Sequence, residues 1–137
     1  MDLNDLKTGT EKTVYSQVET PITAASMGSG SLDVLATPAV VALMEKAACE
    51  LLAPYLEESV TTVGTKISIN HTSASPEGAT IKATAVLTEI DGRRFCFDVF
   101  AYDNAGLIAK GTHERYSVKW EYFMKKTLDK LDQVEKP

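Results

Sequence analysis

The alternation of apolar and polar residues divides the first third of the chain into a strand and a long connection. Residues 12–18 alternate with a period of two, which predicts a first β-strand. Residues 20–36 show no sustained period and carry Gly28 and Gly30 among small side chains. A connection this long inside one domain favours a functional lid or a mobile loop, with plain disorder as the alternative.

The next segment, TPAVVALMEKAACELL, has the apolar spacing of a helix that packs into a core. Thr37 is a favoured N-cap residue, and Pro38 suits the first helical position because its fixed φ and missing N–H fit there. The helix should end near Ala53, before Pro54. On a helical wheel Glu45 falls at the edge of the apolar arc. It is therefore either a boundary carboxylate that reaches solvent or a carboxylate that the fold protects for chemistry.

Four β-rich runs follow, and three turn sequences separate them. SPEG at 75–78 suits a type I turn, Asp91-Gly92 suits a tight hairpin, and DNAG at 103–106 suits a third reversal. Consecutive reversals imply antiparallel strands. Residues from about Glu121 to Val134 have the spacing of an amphipathic helix. This order predicts a single α+β domain over residues 1–137, in which the sheet wraps the apolar helix.

Charge and composition narrow the partners and the compartment. The chain has 14 basic and 19 acidic residues and a net charge of -5, without a basic cluster interleaved with aromatics, so nucleic acid is not an expected partner. The N-terminus lacks the pattern of a signal peptide, and the most apolar run, residues 38–44, is too short to span a membrane. Cys49 and Cys96 lack metal-ligand or CxxC spacing and are interpreted as buried core thiols of a reducing compartment. We expect a cytoplasmic protein without a metal or cofactor.

Three polar or small residues in the strands have two interpretations each. His71 shares the strand parity of Ile67 and Ile69, so it should face the helix as a structural residue or as a proton acceptor. His113, in GTHER, allows the same two interpretations because its neighbours include Gly and Thr, and we favour the structural one. Gly64 lies inside a strand, where a glycine marks either a bulge or a backbone that a ligand approaches closely.

The spacing of Thr37 and Glu45 constrains any site that uses both. Apart from capping, Thr37 lies at a helix N-terminus, where free N–H groups favour an anion. Eight residues along one helix correspond to about 12 Å, so the two side chains do not touch within one helix. Either a substrate spans them or a second subunit contributes one of them. The small size of the chain and the exposed sheet edges favour a dimer.

Three segments, in order and at the right spacing, resemble the fluoroacetyl-CoA thioesterase-like family of the hot-dog fold thioesterase superfamily. They are ATPAVVALMEKAACELLAPYLEE, VGTKISINHTSASPEG and GTHER, and the likeness spans about residues 34–115. The resemblance implies a β-α-β4 hot-dog domain that forms a homodimer. It also implies that the protein hydrolyses an acyl-CoA thioester in a site at the subunit interface.

The same resemblance implies the site residues. Thr37, Glu45 and His71 take the positions of the catalytic set, in which His71 and Glu45 activate water or Glu45 attacks the thioester. Gly64 takes the position of a glycine whose backbone helps to position the thioester carbonyl. Arg115, the arginine of GTHER, is implied in substrate binding or support.

One departure from the family pattern concerns the acyl group. The fluoroacetyl-selective enzyme carries two phenylalanines that form a lid, and Gly28 and Ser31 take their positions here. We therefore expect a different short or medium acyl group, contacted by Met27, Leu32 or Leu35. The alternatives are a hot-dog enoyl-CoA hydratase or dehydratase and a non-catalytic acyl-CoA-binding protein.

Overall fold

A five-stranded antiparallel sheet packs around one long helix in the computed structural model, which describes residues 2–133. The elements are β1 (Glu11–Gln17), α1 (Ala24–Met27), α2 (Thr37–Leu52), β2 (Val60–His71), β3 (Thr80–Asp91), β4 (Arg94–Asp103), β5 (Gly106–Lys119) and α3 (Trp120–Leu128). The strand order is β1-β3-β4-β5-β2, so β1 and β2 are the edges. The α+β architecture and the three reversals agree with the prediction. No helix in the described part of the chain is long and apolar enough to cross a membrane.

The core lies between α2 and one face of the sheet. In β3 every second residue from Ile81 to Leu87 is buried, which is the period expected of a strand with one face in the core. α2 packs most closely against β1 and β3. Its small residues let the helix approach the strands, and its buried residues are Ala39, Val40, Met44, Ala47, Ala48, Leu51 and Leu52.

A β-bulge in the edge strand β2 determines which of its residues face α2. The register against β5 shifts between Gly64 and Lys66, so one extra residue lies in β2 at this point. Simple alternation would place Gly64 and His71 on opposite faces of the sheet. The extra residue resets the alternation, and both residues therefore face α2.

The start of α2 differs from the prediction. Ala36, not Thr37, is the N-cap residue, and no side chain caps this helix end. Thr37 is the first helical residue and Pro38 the second. The physical reason is that the Thr37 hydroxyl bonds to His71 across the domain instead of to an N–H of its own helix.

Two turns lie one residue later than expected. The Ala79 N–H donates to the Pro76 carbonyl at 3.2 Å, so the turn covers residues 76–79 rather than 75–78. Gly78 then takes the third position with φ +89°, a conformation that glycine adopts without strain. The β3–β4 loop likewise begins at Gly92, with φ +59°.

The connection over residues 20–36 is ordered, so the alternative of plain disorder is wrong. The Ala24 N–H donates to the Val34 carbonyl, and the Ala36 N–H donates to the Ile22 carbonyl. These bonds fold α1 and its flanking turns onto the start of α2.

The tail helix and the cysteines differ in part from expectation. α3 begins at Trp120, one residue early, and changes to a 3-10 turn after Leu128. Val134 lies outside the described residues. Cys49 and Cys96 are half-buried rather than core residues. Cys96 alternates with buried phenylalanines in β4 and therefore points to the outer face of the sheet.

Candidate active site

A threonine and a histidine meet where α2 begins and β2 ends. The Thr37 Oγ1 lies 2.8 Å from the His71 Nδ1, which is a hydrogen bond whose direction depends on the tautomer of the ring. The Nε2 of His71 is buried and has no hydrogen-bond partner within residues 2–133. A hydroxyl and an imidazole at this distance can exchange a proton, and an imidazole can act as a general acid or base toward a reacting group within hydrogen-bond reach.

A cavity of about 260 Å³ adjoins this pair. It is lined by Thr37 and His71 together with Ala24, Val34, Leu35 and small residues after β2. Leu35, one of the residues expected to contact an acyl group, is among these lining residues.

The remaining residues expected around the acyl group lie elsewhere or lack the side chain for a lid. Met27 and Leu32 are exposed and do not line this cavity. Gly28 ends α1 with φ +73°, where an aromatic residue would be strained. Ser31 is exposed.

Glu45 belongs to a second group of residues, about two turns further along α2. Its side chain is 40% exposed, and its Oε2 lies 3.8 Å from the Nη1 of the buried Arg115. A Cβ placed on Gly64 would lie 2.6 Å from that same carboxylate oxygen. A bulge begins at Gly64, in agreement with the first interpretation of this glycine, and the group that approaches its backbone closely is the Glu45 side chain.

Arg115 is held in place by a buried network. Its Nε donates to the Thr62 Oγ1 at 2.9 Å, and its Nη2 donates to the Thr62 carbonyl at 3.1 Å. The Nδ1 of His113 donates to the Lys66 carbonyl at 2.7 Å, so the His113 Nε2 is left to accept from Arg115 at 3.2 Å. Burial lowers the pKa of His113, and the adjacent guanidinium acts in the same direction. His113 is thus a neutral support for Arg115, in agreement with its structural interpretation.

Thr62 is the member of this network that sequence reasoning missed. A threonine in a strand is ordinary, and nothing in its neighbours signals a partner 53 residues away.

No group of three or more His, Cys, Asp or Glu side chains within residues 2–133 could hold a metal ion.

The two groups do not meet within one chain. Gly64 and His71 are separated along β2 by about 20 Å at roughly 3.3 Å per residue. Thr37 and Glu45 are separated along α2 by about 12 Å. The structure therefore brings Thr37 together with His71, and Glu45 together with Gly64 and Arg115, as two separate groups.

Comparison with known proteins assigns the family. A family model described as fluoroacetyl-CoA-specific thioesterase matches residues 18–121. A curated fluoroacetyl-CoA thioesterase from Streptantibioticus cattleyicolor is 42% identical over 98 residues, which are 72% of this chain and 70% of that protein. This chain belongs to the fluoroacetyl-CoA-specific thioesterase family. Membership confirms the expected enzyme class, a thioester hydrolase.

Solved structures agree with this assignment. A structure of the fluoroacetyl-CoA thioesterase has a TM-score of 0.86 at 34% identity and covers 91% of this chain and 97% of that one. A mutant of that enzyme in complex with acetyl-CoA has a TM-score of 0.87 at 34% identity, with 91% and 98% covered. A thioesterase superfamily member from Thermus thermophilus has a TM-score of 0.85 at 24% identity, with 95% and 98% covered. That likeness concerns the fold alone, and together these structures confirm the hot-dog fold.

Proposed function

We propose that this protein is an acyl-CoA thioesterase with two active sites at the interface of a homodimer. The observation that carries the proposal is the division of the site residues into two half-sites of one chain. Each half-site lacks what the other holds: Thr37 and His71 form a proton-transfer pair, whereas Glu45 and Arg115 supply a carboxylate and a positive charge.

The edge strand β2 offers a geometry that joins the half-sites. A two-fold axis through Ser68 would pair two copies of β2 in antiparallel fashion, with Ile67 opposite the partner's Ile69. Counting past the bulge, Gly64 then lies opposite the partner's His71. Opposed residues of an antiparallel pair have Cα atoms about 5 Å apart, and their side chains point to the same face. The carboxylate of Glu45, which approaches Gly64, would therefore reach the partner's His71.

In this composite site the groups have complementary tasks. His71 takes a proton from water at a ring nitrogen, and its hydrogen bond to Thr37 holds the ring in position. Glu45 acts from the opposite side as a second base or as the attacking carboxylate. The negative charge that develops on the thioester oxygen needs donors fixed in advance. The backbone at Gly64 and the N–H of Thr37 at the start of α2 are the donors nearest to the two half-sites, since Pro38 has no N–H and the next two N–H groups of the helix already donate to the Ala36 carbonyl.

The substrate we propose is a short or medium acyl-CoA rather than fluoroacetyl-CoA alone. Its support is the absence of aromatic side chains at Gly28 and Ser31 and the small cavity beside Thr37, in which Leu35 provides an apolar wall. A small apolar wall discriminates acyl groups weakly, because one methylene is worth only about 1–3 kcal/mol.

A panel of acyl-CoA substrates of increasing chain length tests the function. Release of free thiol is measured for each substrate, and the control is a Glu45→Gln/His71→Gln double variant purified in the same way. The proposal expects hydrolysis of short or medium chains that the double variant does not catalyse. Thiol release no faster than that of the variant, for every substrate, would overturn it.

A further inference from the structure

A large cationic pocket lies between the tail helix α3 and the end of the sheet where β2 begins and β5 ends. Its volume is about 720 Å³, which is the size of a small-molecule site. The charged side chains that line it are Arg93, Lys119, Lys126 and Lys130, and all four are basic. In a chain with a net charge of -5 this local excess of positive charge is unexpected.

The charges of the tail are segregated. The pocket residues of α3 and the turn after it recur at helical spacing and include Lys126 and Lys130. The acidic residues of the same segment, Glu121, Asp129 and Asp132, do not line the pocket. Within residues 2–133, none of the four lining cations forms a salt bridge. The positive charge of the pocket is therefore available to an external anion.

Aromatic side chains complete the lining. Tyr122 is 65% exposed, and the Nζ of Lys126 lies 5.8 Å from its ring centroid. Phe123 contributes a half-buried ring to the same wall. A flat ring beside several cations suits a ligand that combines phosphate groups with an aromatic base.

The pocket lies close to the Glu45 half-site along two strands. Ser117 lines it and shares its strand face with Arg115, two residues and about 7 Å away along β5. Val60 lines it four residues before Gly64 on β2. The extended pantetheine arm of an acyl-CoA is longer than this separation.

We infer that this pocket binds the phosphorylated adenosine end of the acyl-CoA substrate. The inference rests on the proposed function, since it assigns the other end of the same substrate. The family match ends at residue 121, so Tyr122, Lys126 and Lys130 come from the part of the tail beyond it. The tail thus supplies half of the pocket lining, and the pocket favours substrates that carry the nucleotide over those that lack it.

Two neighbouring lysines provide the test and its control. Lys126 lines the pocket, whereas Lys125 is exposed and does not. Lys126→Glu should raise KM for acyl-CoA about tenfold or more, because hydrogen bonds to a charged group are lost and a like charge is added. KM for the same acyl group on pantetheine, which lacks the nucleotide, should not change. Lys125→Glu changes the net charge equally and should leave both KM values unchanged.

Binding of adenosine 3′,5′-bisphosphate, measured by calorimetry, gives a readout that does not depend on hydrolysis. The inference expects binding that weakens with salt and is lost in Lys126→Glu but not in Lys125→Glu. Equal effects of the two variants on KM, or loss of nucleotide binding with an unchanged KM for acyl-CoA, would overturn it. Failure of the thioesterase proposal looks different, since neither the CoA nor the pantetheine thioester would then be hydrolysed.

Discussion

Gly64→Ala is the substitution that best separates activity from stability in this protein. The added Cβ would lie 2.6 Å from the Oε2 of Glu45, 3.1 Å from the Nη1 of Arg115 and 3.2 Å from the Cε1 of His113. Arg115 and His113 are buried and bonded on several sides, so they give way little. The Glu45 carboxylate is the end of a flexible side chain that is 40% exposed, and it is the group that moves.

The size of that movement sets the expected loss. To reach ordinary contact at 3.4 Å, the carboxylate oxygen must retreat by about 0.8 Å. A misplacement of about 1 Å can cost on the order of 10²-fold in rate, so we expect kcat/KM to fall roughly 10–100-fold. Gly64 does not have a positive φ, so alanine adds no backbone strain. Alanine also restricts the unfolded chain, and the free energy of unfolding should stay within about 1 kcal/mol of the wild-type value.

The measurements are steady-state hydrolysis of the preferred acyl-CoA and urea unfolding of the same preparation. Glu45→Asp provides the matched background, because its shorter side chain leaves room for the new methyl group. In that background Gly64→Ala should have little further effect on rate, which is the signature of two coupled sites. Wild-type activity in Gly64→Ala, or the same fold-loss in both backgrounds, would refute the reasoning.

Three further predictions follow from the same contacts. Thr37→Val should reduce kcat by about 10²–10⁴-fold because the hydrogen bond to His71 is lost. The free energy of unfolding should change by less than about 0.5 kcal/mol because Thr37 does not cap its helix, and a loss typical of a cap, about 1 kcal/mol, would contradict this prediction. Arg115→Lys keeps the positive charge but removes the planar guanidinium that donates to Thr62. The free energy of unfolding measured in urea should fall by about 2 kcal/mol, and wild-type stability would contradict the assigned network. Asp103 accepts a hydrogen bond from the buried Ser75 hydroxyl, and this bond lowers the pKa of Asp103. The ionised form of Asp103 therefore stabilises the fold above the ordinary aspartate pKa, and this stabilisation is lost as the pH falls through the lowered pKa. Asp103→Asn should therefore be less stable by about 1 kcal/mol at neutral pH, with a difference that narrows in acid, and a difference independent of pH would show that the charge is not involved.

The helices and strands could be predicted because residues at or near their ends mark where they begin and end. Pro38 and Pro54 frame α2, and the helix indeed covers Thr37–Leu52. The turns were placed within one residue because the hydrophobic pattern sets where a reversal occurs. The left-handed conformation of Gly78 then sets which four residues form the turn, and the residue types alone do not reveal this.

The site was less accessible to such rules because its contacts join distant parts of the chain. Thr37 has a high propensity to cap a helix, but a partner 34 residues away, His71, determines the orientation of its hydroxyl. The parity of β2 was correct for His71, and a bulge was one of the two interpretations of Gly64, but the face on which Gly64 lies depends on the pairing of β2 with β5 rather than on one strand. The link between Glu45 and Arg115 likewise depends on how α2 crosses the sheet.

The claim that one active site contains residues of two subunits has a direct test in purified heterodimers. Thr37→Val and Glu45→Gln chains, each with its own affinity tag, are co-expressed, and the mixed dimer is isolated by two successive purifications. In the proposed arrangement one of its two sites carries both substitutions and the other carries neither. Two-fold symmetry then predicts about half of the wild-type activity in the mixed dimer, although both parental homodimers are inactive. A mixed dimer as inactive as its parents would contradict the shared site, because it would show that each chain supplies Thr37 and Glu45 to the same reaction centre.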